Sequence, residues 1–206
     1  AAEDIGSRCG RVRGHSLELC AHLSAEDLQR QSMADASPGK WHLAHTTWFF
    51  EQFVLGRDPA YRPRDPAWHY LFNSYYQSVG PMHARPQRGL LSRPSLDEVR
   101  DYRRRIDDMV ADLLARQDDA ELSSLVELGL HHEQQHQELL LTDIKHAFWC
   151  NPLQPAYRAP ILAEAGAKVV PLRYIDGGEG IVAIGHRGVG FAFDNETPRH
   201  RTLLQP

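Results

Sequence analysis

The sequence predicts a mainly α protein. We expect an antiparallel four-helix bundle over residues 1–150, followed at 151–206 by a linker and the first strands of an incomplete second domain. Long stretches before residue 150 repeat apolar side chains every three or four positions, which is the period of an amphipathic helix. After residue 151, prolines and glycines break any helix and short β-like runs appear. About 50 residues of this kind are too few for a separate core, so we expect extended segments there rather than a closed domain.

The composition excludes several functional classes. Hydrophobic residues make up 42% and charged residues 24%, as in ordinary globular proteins. A net charge of −4 gives no reason to expect a nucleic-acid or anionic-membrane partner, and no apolar run approaches the roughly 20 residues of a membrane span. The three scattered cysteines and the lack of a signal-peptide pattern favour reduced thiols. We therefore expect a cytoplasmic protein that acts on small molecules.

Two helices are predicted in the first third of the chain. The first is expected over residues 3–22, although three glycines lower its propensity. The second, over residues 40–55, follows Ser37 and Pro38, which suit an N-cap and a proline in the first turn. The stripe predicted for its buried side consists of Trp41, His45, Trp48, Gln52 and Leu55.

Two longer helices are predicted further along the chain. One begins at Ser95 and Glu98, the pattern of a capping box in which each side chain bonds the other's backbone N–H. The next is expected over residues 121–148. Its predicted buried stripe consists of Leu125, Leu128, His132, His136, Leu139 and Asp143.

The segments between and beyond these helices carry other signals. The connection over residues 56–94 is rich in proline, arginine and aromatic residues, and a loop of this length is typical of a functional segment or lid. Residues 174–184 predict two short strands around a turn at 176–178. Residues 201–206 are expected to belong to a further strand.

The spacing of three histidines predicts a metal site. His132 and His136 lie four residues apart, so their rings project from one face of a helix, one turn apart. His45 lies in the stripe of another helix and can supply a third ligand across the bundle. Three neutral imidazoles suit Fe(II), Zn(II), Cu(II) or Ni(II), with coordination positions left open. We interpret His42 and His131, which lie about 100° round their helices, as surface residues or as residues that support the ligands from behind.

The same residues also match the zinc-peptidase pattern His-Glu-x-x-His, with Glu133 as general base. A peptidase needs a third ligand from a separate element. Glu138 follows the motif too closely, and Glu164 lies in a segment without a clear helix. We predict instead that Glu133, one residue beyond His132, is turned about 100° away from the open coordination positions. The peptidase is kept as an alternative function.

Four motifs in order resemble one known family. Residues 37–51 resemble the first ligand helix of ergothioneine-biosynthesis sulfoxide synthases, and residues 71–76 with 85–91 resemble a loop of the same family. Residues 132–136 resemble its second ligand motif. Residues 193–200 are similar to the opening of its second domain. The resemblance implies a DinB-like four-helix bundle followed by the truncated beginning of an α+β sulfatase-modifying-factor-like domain.

The resemblance also implies a reaction and a set of site residues. The family binds Fe(II) through three histidines, which correspond to His45, His132 and His136, and uses O₂ as a co-substrate. It joins the sulfur of cysteine or γ-glutamylcysteine to C2 of the imidazole of hercynine, forming a sulfoxide. Gln135 corresponds to a glutamine that contacts the hercynine ring. Residues Arg85 and Arg88 lie where the family places arginines on the thiol substrate's carboxylates.

Several alternatives stay open at this point. Close relatives make a C–Se bond to hercynine, as selenoneine synthases do, or join cysteine to another ring carbon of histidine, as ovothiol synthases do. A non-catalytic metal-binding bundle is an alternative of another class. The resemblance implies that an assisting tyrosine and much of the hercynine pocket come from the C-terminal domain. We therefore assign no catalytic residue within the 206 residues, and expect them to bind iron without turnover unless that domain is added.

Overall fold

The computed structural model describes residues 3–76, 79–117, 119–159, 170–175 and 177–205. The chain divides into two compact units, Ala1–Arg158 and Ala159–Pro206. The described part of the first unit contains the helices α1 (Ile5–Cys20), α2 (Ala25–Gln29), α3 (Gly39–Phe49), α4 (Ala67–Phe72), α5 (Leu96–Arg116) and α6 (Ala120–Cys150). The described part of the second contains the strands β1 (Gly180–Ile184) and β2 (His200–Leu204).

The long helices begin where local capping chemistry places them. Asp4 accepts a hydrogen bond from the N–H of Ser7 and starts α1. At the start of α5 the predicted capping box is confirmed, because Ser95 and Glu98 satisfy each other's backbone donors. Asp119 caps α6, which runs for 31 residues. Helices α1 and α6 therefore agree with their predicted bounds to within two residues at each end, and α5 begins where the capping box was predicted.

Helix α3 is the buried centre of the first unit, because all eleven of its residues are buried. Its predicted cap is wrong: Pro38 occupies the N-cap position, and the Ser37 hydroxyl instead accepts a hydrogen bond from Arg88 Nη1 at 2.9 Å. After Phe49 the chain continues through a π-helical turn at Phe50–Val54 and a 3₁₀ turn at Leu55–Arg57. The predicted helix over residues 40–55 is thus correct in extent but changes its winding.

The buried face of α6 lies beside the predicted stripe. Leu128 and Leu139 on that stripe are 36% and 38% exposed, so placing them in the core was wrong. The apolar residues that α6 buries are Leu122, Val126, Leu130, Leu140 and Ile144. In a helix with 3.6 residues per turn, neighbouring positions lie only a fraction of a turn apart. The predicted stripe therefore forms the edge of the core rather than its centre.

A buried ion cluster ties α1, α5 and α6 together. Glu133 is fully buried, pairs with Arg13 at 2.6 Å and with Arg103, and accepts a hydrogen bond from the Ser16 hydroxyl at 2.5 Å. Asp107 pairs with the other side of Arg13. Two cations and two anions therefore balance each other inside the bundle, as burial of charge requires.

The connection between α3 and α5 is anchored by Lys40 at the end next to α5. It contains α4 and a 3₁₀ turn at Arg85–Leu90. The ammonium group of Lys40 is buried and donates to the carbonyl oxygens of Leu91 at 2.8 Å and Pro94 at 2.7 Å. The end of the loop is thereby held against the start of α3, the helix that carries the predicted metal ligand His45.

The described residues of the second unit form a two-stranded antiparallel ribbon. Its register runs from Gly180 opposite Leu204 to Ile184 opposite His200. The predicted strand at 201–206 is confirmed over most of its length, but the predicted hairpin within residues 174–184 is wrong. Tyr174 and Ile175 are not in a strand, and the partner of β1 comes from 20 residues further along the chain. Residue 176 of the predicted turn lies outside the described residues.

Most side chains of this ribbon are exposed. Isolated two-stranded ribbons are marginal in water, since one pair of strands offers little surface for burial. None of the helices in the described residues combines the length and the apolar character needed to cross a bilayer.

Candidate metal centre

The three histidines predicted as ligands lie close together. His45 on α3 and His132 and His136 on α6 each direct one ring nitrogen so that the three atoms lie within 4.8 Å of one another. The Nε2 atoms of His45 and His132 are 3.2 Å apart. Two ligands that are each about 2.1 Å from one ion, at angles of about 90–110°, have nitrogens separated by about 3.0–3.4 Å. His45 and His132 therefore have the spacing of two ligands on one metal ion, and His136 lies close enough to be the third.

Helix α4 orients the ring of His45. The Nδ1–H of His45 donates to the carbonyl oxygen of Phe72 at 2.6 Å, so its Nε2 carries the lone pair. Two neighbours on the same stripe repeat this pattern: Trp41 Nε1 donates to the Leu71 carbonyl at 3.0 Å, and Trp48 Nε1 donates to His69 Nδ1 at 3.1 Å. The stripe predicted from the sequence on α3 is thus a row of rings hydrogen-bonded to α4.

Stacking holds the same ring from both sides. Trp41 lies parallel to His45, with ring centroids 4.6 Å apart and planes inclined by 10°. Trp48 stacks at 5.6 Å and 20°. The guanidinium of Arg88 lies 3.4 Å above the centre of the Trp41 ring. His45 is therefore fixed in orientation by its helix, by a carbonyl and by two indoles.

His136 is contacted from behind by a residue that the ligand motif does not include. His42 Nδ1 lies 2.9 Å from His136 Nδ1, and the Nε2–H of His42 donates to Asp143 at 3.0 Å. His42 is 4% exposed, so the interpretation of it as a surface residue is wrong, and its position is that of a residue supporting a ligand from behind. His131 lies outside the cavity lining and contacts Arg8 at 3.0 Å.

Burial keeps the ligand rings neutral. Desolvation lowers the pKa of His132 to about 4, and it lowers the pKa of His45 and of His136 well below the ordinary value. For His136 the neighbouring rings of His45 and His42 add to this effect. Neutral imidazoles have the lone pairs that metal coordination needs, so burial prepares the site for a cation without competition from protons near neutral pH.

The residues present fit a metal ion. His132 Nδ1 is buried and has no hydrogen-bond partner among the described residues, while its Nε2 faces His45. Three neutral rings with converging lone pairs repel each other unless a proton or a cation lies between them. A divalent metal held by three nitrogens, with further positions open to the cavity, satisfies this arrangement.

A cavity of about 270 Å³ opens onto the three histidines. Arg85, Arg88 and Gln135, which the sequence analysis names as substrate-binding residues, all line it. Arg88 is 3% exposed and donates to the hydroxyls of Ser37 at 2.9 Å and Ser74 at 3.0 Å. The structure therefore brings all six predicted site residues to one cavity.

The two arginines have unused capacity for an anion. Neither has a carboxylate within ion-pair distance in the described part of the chain, and their Nε atoms are buried without hydrogen-bond partners. Burial lowers the pKa of Arg88 to about 10, with Arg85 adding to the effect, so the guanidinium remains charged near neutral pH.

Tyr75, whose hydroxyl accepts from Arg85 at 3.1 Å, has a φ of +61° at the cavity edge.

The position of Glu133 bears on the peptidase alternative. Both of its carboxylate oxygens are engaged by Arg13, Arg103 and Ser16, and it does not line the cavity. Its predicted orientation away from the histidine site is therefore what the structure shows. A general base must reach the water or substrate proton that it takes, and Glu133 does not. Glu164, considered as a third peptidase ligand, lies outside the described residues.

The sequence analysis did not assign Asp143 a role at the site. The available signal was its position on the stripe of His132 and His136, one turn or more beyond them, where a carboxylate in an otherwise apolar pattern needs a partner. Its side chain accepts hydrogen bonds from His42 and from the backbone N–H of Ser37 at 2.8 Å.

The fold and this site define a helical bundle with a three-histidine cluster at a cavity. A family model described as the DinB superfamily matches residues 10–140. The chain therefore belongs to the DinB superfamily, and the match covers α1 through most of α6, including all three histidines. No curated protein sequence matches the chain.

Proposed function

We propose that the protein is a non-haem Fe(II)- and O₂-dependent enzyme that joins a thiol sulfur to the imidazole C2 of hercynine. The observation that carries this proposal is the single cavity that contains a three-histidine cluster, a free amide and two arginines without carboxylate partners among the described residues. A substrate with an imidazole and a second substrate with carboxylates would each find a complementary group there. The resemblance of four ordered motifs to sulfoxide synthases supports the same assignment.

Iron bound at this site would supply one-electron and O₂ chemistry. The protein's own residues would bind and orient the substrates. The side-chain amide of Gln135 makes no hydrogen bond to another described residue, so it is available to orient a neutral ring nitrogen in the cavity. Arg85 and Arg88 provide planar donors for a carboxylate, and the burial of Arg88 strengthens that attraction.

Two features of the site bear on the other classes. Glu133 is committed to the ion cluster, which disfavours a zinc peptidase. Polar groups without partners around an open metal face favour an enzyme over a purely structural metal bundle, since structural sites are closed. The motif at residues 193–200 supports assignment of the second unit to a sulfatase-modifying-factor-like domain.

The test is turnover by the full-length protein reconstituted anaerobically with Fe(II) and then supplied with O₂. Hercynine is combined in parallel with cysteine, γ-glutamylcysteine or a selenium donor, and the product mass identifies the bond formed. Histidine in place of hercynine tests the ovothiol-type reaction. Product formed only with hercynine and a thiol is the expected result, with a His45→Ala variant inactive. Consumption of no substrate pair by the iron-loaded protein would overturn the proposal.

A further inference from the structure

We propose that His42 and Asp143 are positioning residues of the metal centre, which fix the tautomer of His136 so that its Nε2 lone pair is directed at the ion. The inference rests on the histidine site as a metal centre, which is part of the proposed function, and does not depend on which substrates react there. Asp143 on α6, His42 on α3 and His136 on α6 form a hydrogen-bonded series.

The geometry fixes which atom donates in each of these hydrogen bonds. Asp143 is a carboxylate and can only accept, so the His42 Nε2 at 3.0 Å must carry the proton. With the proton on Nε2, a neutral imidazole at His42 has its lone pair on Nδ1. This Nδ1 lies 2.9 Å from His136 Nδ1, which must then donate. A neutral His136 with its proton on Nδ1 has a free Nε2.

Asp143 is itself held in place. It accepts from the backbone N–H of Ser37 at 2.8 Å, just ahead of α3, and its side chain is only 11% exposed. The carboxylate thus joins the C-terminal part of α6 to the start of α3, and His42 is the first-turn residue of α3 that contacts it. Packing on both helices therefore determines where the proton on His136 lies.

The other two ligands differ in this respect. His45 has its tautomer fixed by a backbone carbonyl, which no substitution of a side chain removes. His132 has no partner on Nδ1 among the described residues. Only His136 depends on described side chains for its tautomer. Partners of this kind are worth about 10–100-fold in metal affinity when they are removed.

The experiment compares three substitutions of His42 in the 206-residue chain, with Co(II) as the probe because its visible d–d bands report the ligand set. His42→Asn places an amide oxygen near the position of the imidazole Nδ1 and can still accept from His136. His42→Gln places its amide near the position of Nε2 and keeps only the contact with Asp143. His42→Phe keeps the buried volume and neither hydrogen bond.

Expected Co(II) dissociation constants rise in the order wild type, Asn, Gln, Phe, with Phe weakened by about 10–100-fold. Asp143→Asn should weaken Co(II) binding to a similar extent as His42→Gln, because His42 Nε2 loses its fixed carboxylate acceptor. Thermal unfolding of the metal-free proteins is measured alongside, so that a variant that fails to fold is recognised and the comparison of Asn with Gln is used instead.

Equal affinities and identical d–d bands for the wild type and all folded His42 variants would overturn the inference. If His42 only fills space, His42→Asn and His42→Gln should lose Co(II) affinity equally and in proportion to their loss of stability. That result would also overturn the inference. If the wild-type chain binds no Co(II), Fe(II) or Zn(II), the metal centre and the proposed function fail together. If the wild-type chain binds metal and the variants bind it equally well, only the positioning role of His42 and Asp143 fails.

Discussion

The side chains of the histidine cluster are prepared for a cation by burial more than by neighbouring charge. Desolvation lowers the pKa of all three rings, and no carboxylate approaches their cavity-facing nitrogens in the described part of the chain. A site built in this way binds a metal through lone pairs that are free at neutral pH. We expect removal of any one ring to release the metal, since two nitrogens would leave a divalent ion mostly in solvent.

Replacement of His136 by alanine is expected to abolish stoichiometric Fe(II) binding. The change removes the ring that approaches from the Asp143 side of the cavity. Iron content is measured by a colorimetric chelator after anaerobic loading and gel filtration. His131→Ala is the matched control, because it removes a histidine from the same helix that does not line the cavity. Full iron content in the His136 variant would show that the ion is held elsewhere.

Replacement of Glu133 by glutamine is expected to destabilise the fold by about 3–5 kcal/mol, because it leaves Arg13 and Arg103 buried with one fewer counter-charge. Burial by itself would raise the pKa of Glu133, but Arg103 and Arg13 outweigh it and hold the pKa below the ordinary value. The stabilisation from Glu133 is therefore fully present above about pH 4.5, the ordinary pKa of the group, and is lost as the pH falls through the lower folded-state pKa.

Urea unfolding at several pH values measures both effects. Glu138→Gln is the control, since this exposed glutamate is on the same helix and its loss should cost less than about 0.5 kcal/mol. The difference in unfolding free energy between wild type and Glu133→Gln should shrink as the pH falls below 4.5. A variant as stable as wild type would contradict the stabilising role of the ion cluster. Loss of turnover in fully folded, iron-loaded protein would instead return Glu133 to the role of a catalytic base.

Among the elements, those fixed by local chemistry were predictable and those fixed by distant contacts were not. The start of α5 follows from the reciprocal bonds of Ser95 and Glu98, which are three residues apart. The role of Ser37 could not be predicted, because its hydroxyl contacts Arg88, 51 residues away. The spacing of His132 and His136 indicated a shared face, but the partnership of His42 with Asp143 depends on the packing of α3 against α6.

The strand hairpin predicted around residues 176–178 failed for a related reason. A turn-like run of glycines after an aromatic residue is a local signal, whereas the pairing of β1 with β2 is set by residues 20 apart. The π-helical turn at Phe50–Val54 was also not predictable from apolar period alone. It places Glu51, which is buried, against the hydroxyls of Tyr61 at 2.7 Å and Tyr102 at 2.6 Å.

The close approach of α6 to the end of α3 should make Gly129 sensitive to any side chain. A Cβ there would lie 2.8 Å from the ring of Phe50 and 3.0 Å from the ring of Phe49, both of which are buried. Gly129→Ala is expected to destabilise by about 1–2 kcal/mol net, because overpacking of two core rings exceeds the gain in helix propensity. His132 is one turn further along, so Co(II) affinity should fall as well.

Gly10→Ala is the matched control for this change. Gly10 is also inside a helix, but a Cβ at this position meets nothing within 4 Å. The substitution should stabilise the protein by about 0.5–1 kcal/mol, since alanine favours the helix over glycine. Chemical denaturation gives both values. Stabilisation by Gly129→Ala comparable to that by Gly10→Ala would show that the helices are further apart than the structure places them.

At the scale of the whole molecule, the described contacts of the histidine cluster belong to one unit. The ligands, the carbonyl behind His45, the chain through His42 and Asp143, and the buried ion cluster all lie within Ala1–Arg158. The described residues of the second unit supply the β1–β2 ribbon. Metal binding and stability of the first unit should therefore be separable from whatever the second unit contributes.

A fragment of residues 1–158 is accordingly expected to fold cooperatively and to bind one equivalent of Co(II) with the affinity of the 206-residue chain. Its core is complete without the ribbon, and short single-core units of this size unfold in a two-state manner. Circular dichroism during heating and a Co(II) titration followed at the d–d bands measure the two properties. The same fragment carrying His136→Ala should fold and bind no Co(II), which links the bands to the histidine cluster. A fragment that retains helical signal but melts without a transition, or that binds Co(II) more than about 10-fold more weakly, would mean that residues 159–206 help to hold the site together.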